Sequence, residues 1–348
     1  MSRKAYVTIH DIASKLNITA STVSRALNDS PRISEGTKRA VLKMAKELNY
    51  QPHNIAAALR NGRSGFLGII VPTADRTFFG SIIRGVEEIA NKLNYKVIIC
   101  QSYDDSEIEI ETIDALFNAR VDGIIASLGK NTEDFSHFEK VIERNIPLLL
   151  FDRTTEKLDV SQVAIDDYLG AYQMVRHLIE QGSKRIAHFT SPKKISIFQE
   201  RLRGYKDALI DHGIPFQEEL VIESNLQLVD GRHSMEMLLE LKQLPDAVFS
   251  ASDYGAMGAM QVLKERGIKI PSQIALAGFS NDPFTSFTDP PLTTVDQKSK
   301  IIGNMAAQLF FEQLNAKGKK FLPQKVVLKP EIIIRESSQR IKVLEEVS

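Results

Sequence analysis

The chain has 348 residues, of which 43% are apolar, and is long enough to form more than one domain with sizeable cores. Its one cysteine, Cys100, excludes an internal disulfide framework and is typical of a reducing compartment. No apolar run approaches the ~18 to 20 residues of a membrane span, and the opening Met-Ser-Arg-Lys is unlike a signal peptide. We therefore expect a soluble, cytoplasmic protein with no membrane partner.

The charged residues are distributed unevenly along the chain. Lys plus Arg and Asp plus Glu each number 44, so the formal net charge is zero. Residues 1–63, however, contain eleven basic and four acidic side chains. The first part of the chain is thus basic and the remainder acidic, which favours a polyanionic partner for the first part alone.

Residues 8–28 carry the signals of two short helices joined by a tight turn. Thr8 can cap the first helix, with Asp11 at capping-box spacing, and Thr19 can cap the second. Asn17 is suited to the turn because asparagine tolerates the left-handed conformation. The sequence therefore predicts a helix–turn–helix segment at this end of the chain.

The second predicted helix has an apolar inner face, with Val23 and Leu27 expected to be buried. The residues expected to point outward are Ala20, Ser21, Ser24 and Arg25. A third helix is expected after the cap Ser34, ending at Asn49. Such an arrangement can enter a DNA major groove, and an ordinary helical hairpin on an enzyme is the alternative.

From residue 66 onward, apolar runs of strand length alternate with helical patterns. The expected strands are 66–71, 96–100, 123–126, 146–151, 163–165, 185–189, 247–249 and 274–279, followed by a strand pair near 325–335. Near-continuous apolar strands between helices are typical of a parallel sheet covered on both faces. The pattern begins again near residue 163, which indicates two α/β lobes with a ligand site between them, at the carboxyl ends of the strands.

Between these two parts, residues 55–59 form an apolar stub closed by Asn61-Gly62. A helix of this length is unstable alone in water. It could fold on docking into a DNA minor groove beside a partner copy, with Leu59 as the wedge between base steps. A flexible linker fits the composition equally well.

The sequence lacks the common catalytic motifs. It has no Gly-x-Ser-x-Gly elbow, no His-Glu-x-x-His helix and no Cys pair, and its seven histidines are scattered. The glycines around residues 123–131 have the wrong spacing for a phosphate loop. We therefore predict no enzyme activity, no catalytic residues, no metal site and no cofactor.

Several motifs follow one another in a specific order along the chain. They include Thr-Val-Ser-Arg-Ala-Leu-Asn at 22–28, then 48–52, 56–59, 78–80, 151–153, 177–182, 201–205, 253–258, and Pro-Pro-Leu-Thr-Thr at 290–294. In this order they resemble the lactose/galactose repressor (LacI/GalR) family over about residues 6–338.

The resemblance implies a transcription regulator with a three-helix, helix-turn-helix head and a two-lobed α/β core like that of periplasmic binding proteins. A small effector, often a sugar or sugar phosphate, is expected between the lobes. A homodimer is expected on a near-palindromic DNA operator, with hinge helices setting the affinity. No sustained heptad array follows residue 337, so a coiled-coil tetramer is not expected.

The domain boundaries that follow are expectations of the same kind. They are 1–51 for DNA binding, 52–64 for the hinge helix and linker, 65–340 for the core and 341–348 for the tail. Within the core, the first lobe is expected at about 65–161 and 296–322, and the second at about 162–292 and 323–340.

The resemblance also implies DNA contacts. Ala20, Ser21 and Arg25 occupy the positions that read base edges in the family, and arginine is the side chain best suited to guanine. Thr8, Thr19, Ser24 and Asn28 are expected to contact phosphates. Lys4 and Lys38 are expected to add binding that does not depend on DNA sequence. The full expected DNA-binding set is Thr8, Thr19, Ala20, Ser21, Thr22, Ser24, Arg25, Asn28, Ala56, Ala57 and Leu59. Many members have Arg where this chain has Ala57, which weakens the expectation of a minor-groove arginine.

The expected effector site combines aromatic rings, which can stack on a sugar, with polar side chains for its hydroxyls. The set is Phe78, Phe79, Asp152, Phe198, Arg201, Asp253, Phe279, Ser280 and Asn281. For these phenylalanines, and for Phe151, burial in the core is the alternative. Many members have Gly-Tyr/Phe-Asp where this chain has residues 278–282, Gly-Phe-Ser-Asn-Asp, so a familiar ligand cannot be carried over.

The sequence thus predicts a DNA-binding regulator, a repressor, that responds to a sugar or sugar derivative. A solute-binding module of the same fold is the main alternative, but it would need an export signal and would not need the basic head. A sugar-modifying enzyme with a DNA-binding head is a third possibility, and it would turn over its bound ligand.

Overall fold

A computed structural model describes residues 7–50, 63–192, 196–316 and 321–340 of the chain. The chain divides into two compact units, Met1–Ser64 and Gly65–Ser348. The predictions for Lys4, for the hinge residues Ala56, Ala57 and Leu59, and for the tail 341–348 lie outside the described residues. Within the described residues, no helix is both long and apolar enough to cross a membrane.

In its described part, the first unit consists of three helices: Ile9–Leu16 (α1), Ala20–Leu27 (α2) and Glu35–Glu47 (α3). The carboxylate of Asp11 accepts hydrogen bonds from the Thr8 backbone N–H and hydroxyl, both at 2.7 Å. Asn17 has a left-handed backbone with φ 52°, which turns the chain between α1 and α2. These local signals confirm the predicted helix–turn–helix.

The head has a small apolar core. Its buried members are Ile12, Ala13, Val23, Ala26, Val41 and Ala45. Leu27, expected to be buried, is only partly covered, and Ala26 takes the inner position on α2. The outer face of α2 is therefore free of large apolar side chains.

The second unit is an α/β structure. Its strands are Phe66–Val71 (β1), Lys96–Gln101 (β2), Ile124–Ala126 (β3), Leu148–Phe151 (β4), Ser161–Ile165 (β5), Ile186–Thr190 (β6), Val221–Glu223 (β7), Ala247–Ser250 (β8), Ala275–Ala277 (β9), Thr294–Asp296 (β10), Lys325–Leu328 (β11) and Glu331–Ile333 (β12). Its helices are Thr77–Lys92 (α4), Ser106–Asn118 (α5), Ser136–Glu143 (α6), Asp167–Glu180 (α7), Ser196–Asp211 (α8), Leu228–Leu239 (α9), Asp253–Glu265 (α10) and Ser299–Asn315 (α11). Single 3₁₀ turns span Glu218–Leu220 and Pro283–Ser286.

Among the described residues, the strands form two main parallel sheets. The first has the order β11-β5-β4-β3-β1-β2 and the second the order β7-β6-β8-β9. Each sheet carries an apolar cluster on both faces. Strand β1 is accordingly buried from Leu67 to Val71, which confirms the expectation of sheets covered on both sides.

The lobe boundaries differ from those expected. The expected second lobe began near residue 162 and resumed at 323, but β5 and β11 pair with each other in the first sheet, with Lys325 opposite Gln162. The strands near 325–335 do not pair together, because β12 pairs instead with β10. The apolar pattern predicts a strand but contains no information about its partner, and a strand at a crossover can join either lobe.

His188 in the second lobe provides a test of this core. Its ring is stacked between Tyr205 and Phe249, with centroids 4.9 and 4.8 Å away, and its Nδ1–H donates to Phe249 O at 2.9 Å. Burial lowers the pKa of His188 to about 4.

His188→Phe is therefore expected to reduce the loss of stability on acidification. As the pH falls from 6.5 towards 4, the unfolded chain binds a proton that the folded chain does not bind. The wild type should thus lose up to roughly 3 kcal/mol, at about 1.4 kcal/mol per pH unit, and the variant should lose less. Urea unfolding of both proteins at pH 7 and pH 4.5 measures this difference, and equal losses would contradict the assignment.

Candidate functional site

The outer face of α2 is the candidate DNA-reading surface of the first unit. Ser21 and Arg25 are exposed on it, whereas Ala20, Thr22 and Ser24 are half-buried. The hydroxyl of Thr19 lies 2.9 Å from those of Ser21 and Thr22, so the start of the helix carries a cluster of hydroxyl groups. Thr8, Thr19 and Asn28 are exposed at the ends of the two helices.

Lys38 does not fit the sequence-independent DNA binding expected of it. Its ammonium is ion-paired with Asp29 at 2.6 Å and Glu35 at 2.8 Å, and its side chain is only 11% exposed. The hydrogen bonds that the Lys38 ammonium donates to Asp29 and Glu35 raise the pKa of Lys38. The charge is therefore engaged within the head, a non-local contact that the composition alone does not reveal.

The second unit contains a cavity of about 130 Å³ between its two lobes. The predicted residues that line it are Phe78, Phe79, Asp152, Phe198, Arg201 and Ser280. The cleft continues into a larger space of about 850 Å³, which shares Lys130, Asp152, Arg153 and Ile197 with the cavity. We take the smaller cavity as the candidate site because it brings together the aromatic and polar residues of both lobes.

Three of the predicted residues lie outside the cavity lining. Asp253 is buried, and its carboxylate accepts from the Thr294 hydroxyl at 2.6 Å and the Asp282 N–H at 2.8 Å. Burial raises the pKa of Asp253 to about 7. Phe279 is fully buried beneath Arg201, and the Asn281 side chain accepts a hydrogen bond from Arg335 at 3.0 Å. These residues support the site from behind.

Phe151, the fourth phenylalanine considered for ring stacking, is fully buried in the core of the first lobe. It belongs to the apolar cluster that covers one face of the first sheet. The core alternative is therefore the observed one for Phe151 and for Phe279.

Arg201 is held by the protein on almost every side. Its Nε donates to Asp167 at 2.8 Å, Nη1 to Ala251 O at 2.8 Å and Nη2 to Gln297 at 3.3 Å. Its plane lies 3.7 Å from the ring centroid of Phe279. Because a guanidinium has five N–H donors, little capacity is left for a ligand, and the fork of free donors expected of Arg201 is largely occupied.

A close approach of two helices places Arg201 beside Asp167. A Cβ atom at Gly204 would lie 2.4 Å from Tyr168 O on α7, so only glycine fits there. Asp167 is 6% exposed, and burial raises its pKa to about 6 although the charge of Arg201 lowers it. The Arg201–Tyr205 motif therefore packs α8 against α7 and also contributes to the lining of the cavity.

Three polar residues of the lining, besides the apolar Leu226, adopt backbone conformations that are uncommon outside glycine. The φ angles of Asp104, Asp152 and Ser280 are 61°, 58° and 140°. Such conformations cost energy and occur often at functional sites. All three residues follow strands, which is the position where α/β folds bind ligands.

The sequence interpretation missed several charged and polar residues of the lining. They are Thr73, Arg76, Asp104, Lys130, Arg153, Asn225, Gln227, Ser252, Asp282 and Gln297. The signal that could have found some of them is position, because Asp104, Lys130 and Arg153 come shortly after β2, β3 and β4.

Two family models match the chain. The model described as "Bacterial regulatory proteins, lacI family" matches residues 8–53, and the one described as "Periplasmic binding proteins and sugar binding domain of LacI family" matches residues 64–326. The two matches coincide closely with the two compact units.

Curated relatives match over nearly the whole length. The chain is 31% identical to the HTH-type transcriptional regulator DegA of Bacillus subtilis over 332 residues, which are 95% of this chain and 98% of DegA. It is 32% identical to the HTH-type transcriptional repressor CytR of Escherichia coli over 335 residues, 96% of this chain and 97% of CytR.

Solved structures match in the same way. The complex of the transcriptional regulator CelR with cellobiose has a TM-score of 0.72 and 26% identity, covering 95% of this chain and 99% of CelR. The lac repressor dimer bound to operator and an anti-inducer has a TM-score of 0.85, covering 97% and 100% of the two chains. At 23% identity, this second likeness shows the fold.

Proposed function

The chain belongs to the LacI family of bacterial regulatory proteins, and on that basis we propose that it is a repressor whose operator affinity is controlled by a small effector. The observation that carries this function is the pairing of a basic helix–turn–helix unit with a second unit whose cavity is lined by both lobes. A ligand in such a cavity has different contacts in open and closed lobes, and it can therefore shift a conformational equilibrium.

The proposed effector is a sugar or sugar derivative. The rings of Phe79 and Phe198 can contact the apolar face of a sugar, and Asp152 and Ser280 can bind hydroxyl groups. The likeness to a regulator solved with cellobiose supports a carbohydrate class. We expect binding without turnover, because the curated relatives are named as transcriptional regulators.

The proposed assembly is a homodimer on a near-palindromic operator. Among the described strands, β2 lies at the edge of the first sheet; Leu93, shortly before this strand, and Ile99, within it, are 46% and 45% exposed. An apolar sheet edge that is not covered favours pairing with a second copy. Twofold symmetry of the protein then requires twofold symmetry of the DNA site.

The proposed function is tested with the full-length protein in two steps. Selection from a random DNA library should yield a near-palindromic site that the protein protects in a footprint. A library of sugars and sugar phosphates should then contain a compound that raises the Tm and changes the operator affinity, since a ligand at 100 times its Kd stabilises by about 2.7 kcal/mol. Recovery of no preferred DNA sequence would contradict the proposal.

Leu59→Ala tests the proposed hinge, which lies outside the described residues. The change removes the proposed wedge, so operator affinity and DNA bending should fall while effector affinity stays near that of the wild type. Circular dichroism should show a gain of helix when the wild type binds its operator. Full bending by the variant and no gain of helix would reduce residues 55–60 to a linker.

A further inference from the structure

Lys130 is a cation of the cavity without a close acceptor. Its side chain is 20% exposed, and its nearest carboxylate oxygen, Oδ2 of Asp104, is 3.9 Å away, which is too far for a hydrogen bond. In the described part of the chain, nothing accepts a hydrogen bond from Nζ. Burial lowers the pKa of Lys130, although the charge of Asp104 opposes this shift, and the charge of Arg153 adds a smaller lowering. An ammonium in this position favours a ligand that brings an anionic oxygen.

One donor atom of Arg153 also lacks a hydrogen-bond acceptor. Its Nη1 donates to the carboxylate of Asp104 and, at 3.4 Å, to Leu128 O. Its Nε is buried and, among the described residues, has no hydrogen-bond partner. The nearest carboxylate oxygen, Oδ2 of Asp152, is 4.0 Å away. A buried N–H of a charged group is costly to leave unpaired, so this atom also favours a ligand acceptor.

Among the described residues, the other two cations of the cavity have no buried donor atom that lacks a partner. Arg201 donates to Asp167, Ala251 and Gln297. Arg76 donates to Gln227 and lies 3.9 Å from the ring centroid of Tyr254. The unfilled donors are therefore concentrated where β3 and β4 end, on the first lobe.

The acidic residues of the cavity do not compensate fully for these donors. The Asp104 carboxylate already accepts from the Lys130 backbone N–H at 2.9 Å and from Arg153. Burial raises the pKa of Asp152 and that of Asp282. A carboxyl group can bind hydroxyl groups in either protonation state.

The size of the cavity indicates how much of a ligand it can hold. A volume of about 130 Å³ corresponds to on the order of ten water-sized groups, at roughly 10–15 Å³ for each. One sugar ring with a substituent fits this volume, and a longer ligand would extend into the larger space of the cleft.

We propose that the effector is a sugar derivative whose bound ring carries one anionic substituent, a carboxylate or a phosphate, held by Nζ of Lys130 and Nε of Arg153. This inference rests on the proposed function, because it takes the cavity as the effector site. The ring lies against Phe79 and Phe198, and its hydroxyls face Asp152 and Ser280.

The test uses full-length protein and sets of sugars that differ only in charge. Calorimetric titration is performed with glucose, glucuronate and glucose 6-phosphate, and with the corresponding galactose and mannose compounds. In at least one set the acid or the phosphate should bind ten times more tightly than the neutral sugar, and the better of the two identifies the anionic group. Equal binding of a neutral sugar, or no binding of any acid or phosphate at millimolar concentration, overturns the proposal.

Lys130→Gln separates a ligand contact from a structural role. It should weaken binding of the charged compound at least tenfold and change binding of the neutral sugar little. The Tm of the free protein should stay the same or rise, because a poorly paired ammonium is removed. Lys130→Arg should restore part of the affinity. Lys140→Gln, an exposed lysine on α6 of the same lobe, is the matched control and should change neither quantity.

Two results with Lys130→Gln would contradict the proposal. One is a lower Tm of the free protein with unchanged affinity, which would make Lys130 structural. The other is equal weakening of charged and neutral sugars, which would mean that Lys130 acts through the shape of the site. Operator binding by the wild type is measured in parallel, with and without the compound that binds best: its absence in both conditions counts against the proposed function, whereas the sugar comparison concerns only the charge of the ligand.

Discussion

Arg201→Ala is expected to lose the effector response and to destabilise the second unit. Only one N–H of Nη1 is left for a ligand, because the protein accepts from the other donors of Arg201. Loss of that one charge-assisted hydrogen bond costs about 1.5–3 kcal/mol, or roughly ten- to hundredfold in effector affinity. The change also lowers the free energy of unfolding by about 3–5 kcal/mol, because breaking a buried ion pair leaves a charge unpaired. That charge is Asp167, which lies 2.7 Å from Nη2 of Arg201 and is 6% exposed.

The stability loss of Arg201→Ala should depend on pH. Burial raises the pKa of Asp167 to about 6 even with Arg201 present, and removal of the guanidinium raises this pKa further. An acid whose folded pKa is raised is destabilising above its unfolded pKa, and the cost increases until the pH exceeds the folded pKa. The difference in Tm between variant and wild type should therefore be small near pH 5 and should grow between pH 6 and pH 8.

Two further variants separate the ligand role of Arg201 from its structural role. Arg203→Ala on the same helix removes a guanidinium that is 54% exposed, and it should change neither stability nor effector response appreciably. The double variant Arg201→Met, Asp167→Asn removes both charges and should recover much of the lost Tm without recovering the effector response. Gel-shift titrations at a temperature where each variant is folded decide the matter, and an unchanged effector midpoint would place Arg201 outside the site.

The local structure of the head could be predicted because its signals are local. A cap such as Thr8 or Thr19 and a turn residue such as Asn17 act on groups within four residues of themselves. The same holds for the strands of the core, whose apolar runs are visible in the sequence whatever sheet they join. The fold class and the outer face of α2 were therefore accessible without a structure.

The partners of charged side chains could not be predicted in this way. In the sequence, nothing distinguishes Lys38 from the other basic residues of the head. Only the folding of α3 against the preceding turn brings Lys38 into contact with Asp29. Arg201 and Asp167 are 34 residues apart, and they meet because Gly204 lets two helices touch. Burial of this kind depends on tertiary packing, and the apolar periodicity of the sequence carries no information about such packing.

The same limit applies to the effector site. A phenylalanine in a motif can line a cavity, as Phe79 does, or support it from behind, as Phe279 does. The positional rule that ligands bind after parallel strands points to Lys130 and Arg153. Which of their donors lack acceptors is a matter of distances, and these distances distinguish the two residues from the well-paired Arg201.

Arg25→Ala is expected to weaken binding to the selected operator by about 1–3 kcal/mol and to relax the preference at one base pair in each half-site. Arg25 is exposed in the last turn of α2, on the face that carries Ser21 and Ser24. A guanidinium there can donate two parallel hydrogen bonds to a guanine edge in the major groove, whereas alanine can donate none. The loss should be confined to the sequence-specific part of binding.

Arg25→Lys provides the control, because it keeps the charge but not the planar pair of donors. It should bind non-specific DNA as the wild type does, with a similar dependence on salt, and should still lose much of the base preference. Fluorescence anisotropy on the operator and on single-base variants, at two salt concentrations, measures both quantities. A uniform loss on all sequences would make Arg25 a phosphate contact, and an unchanged preference in Arg25→Ala would mean that another part of the head reads the bases.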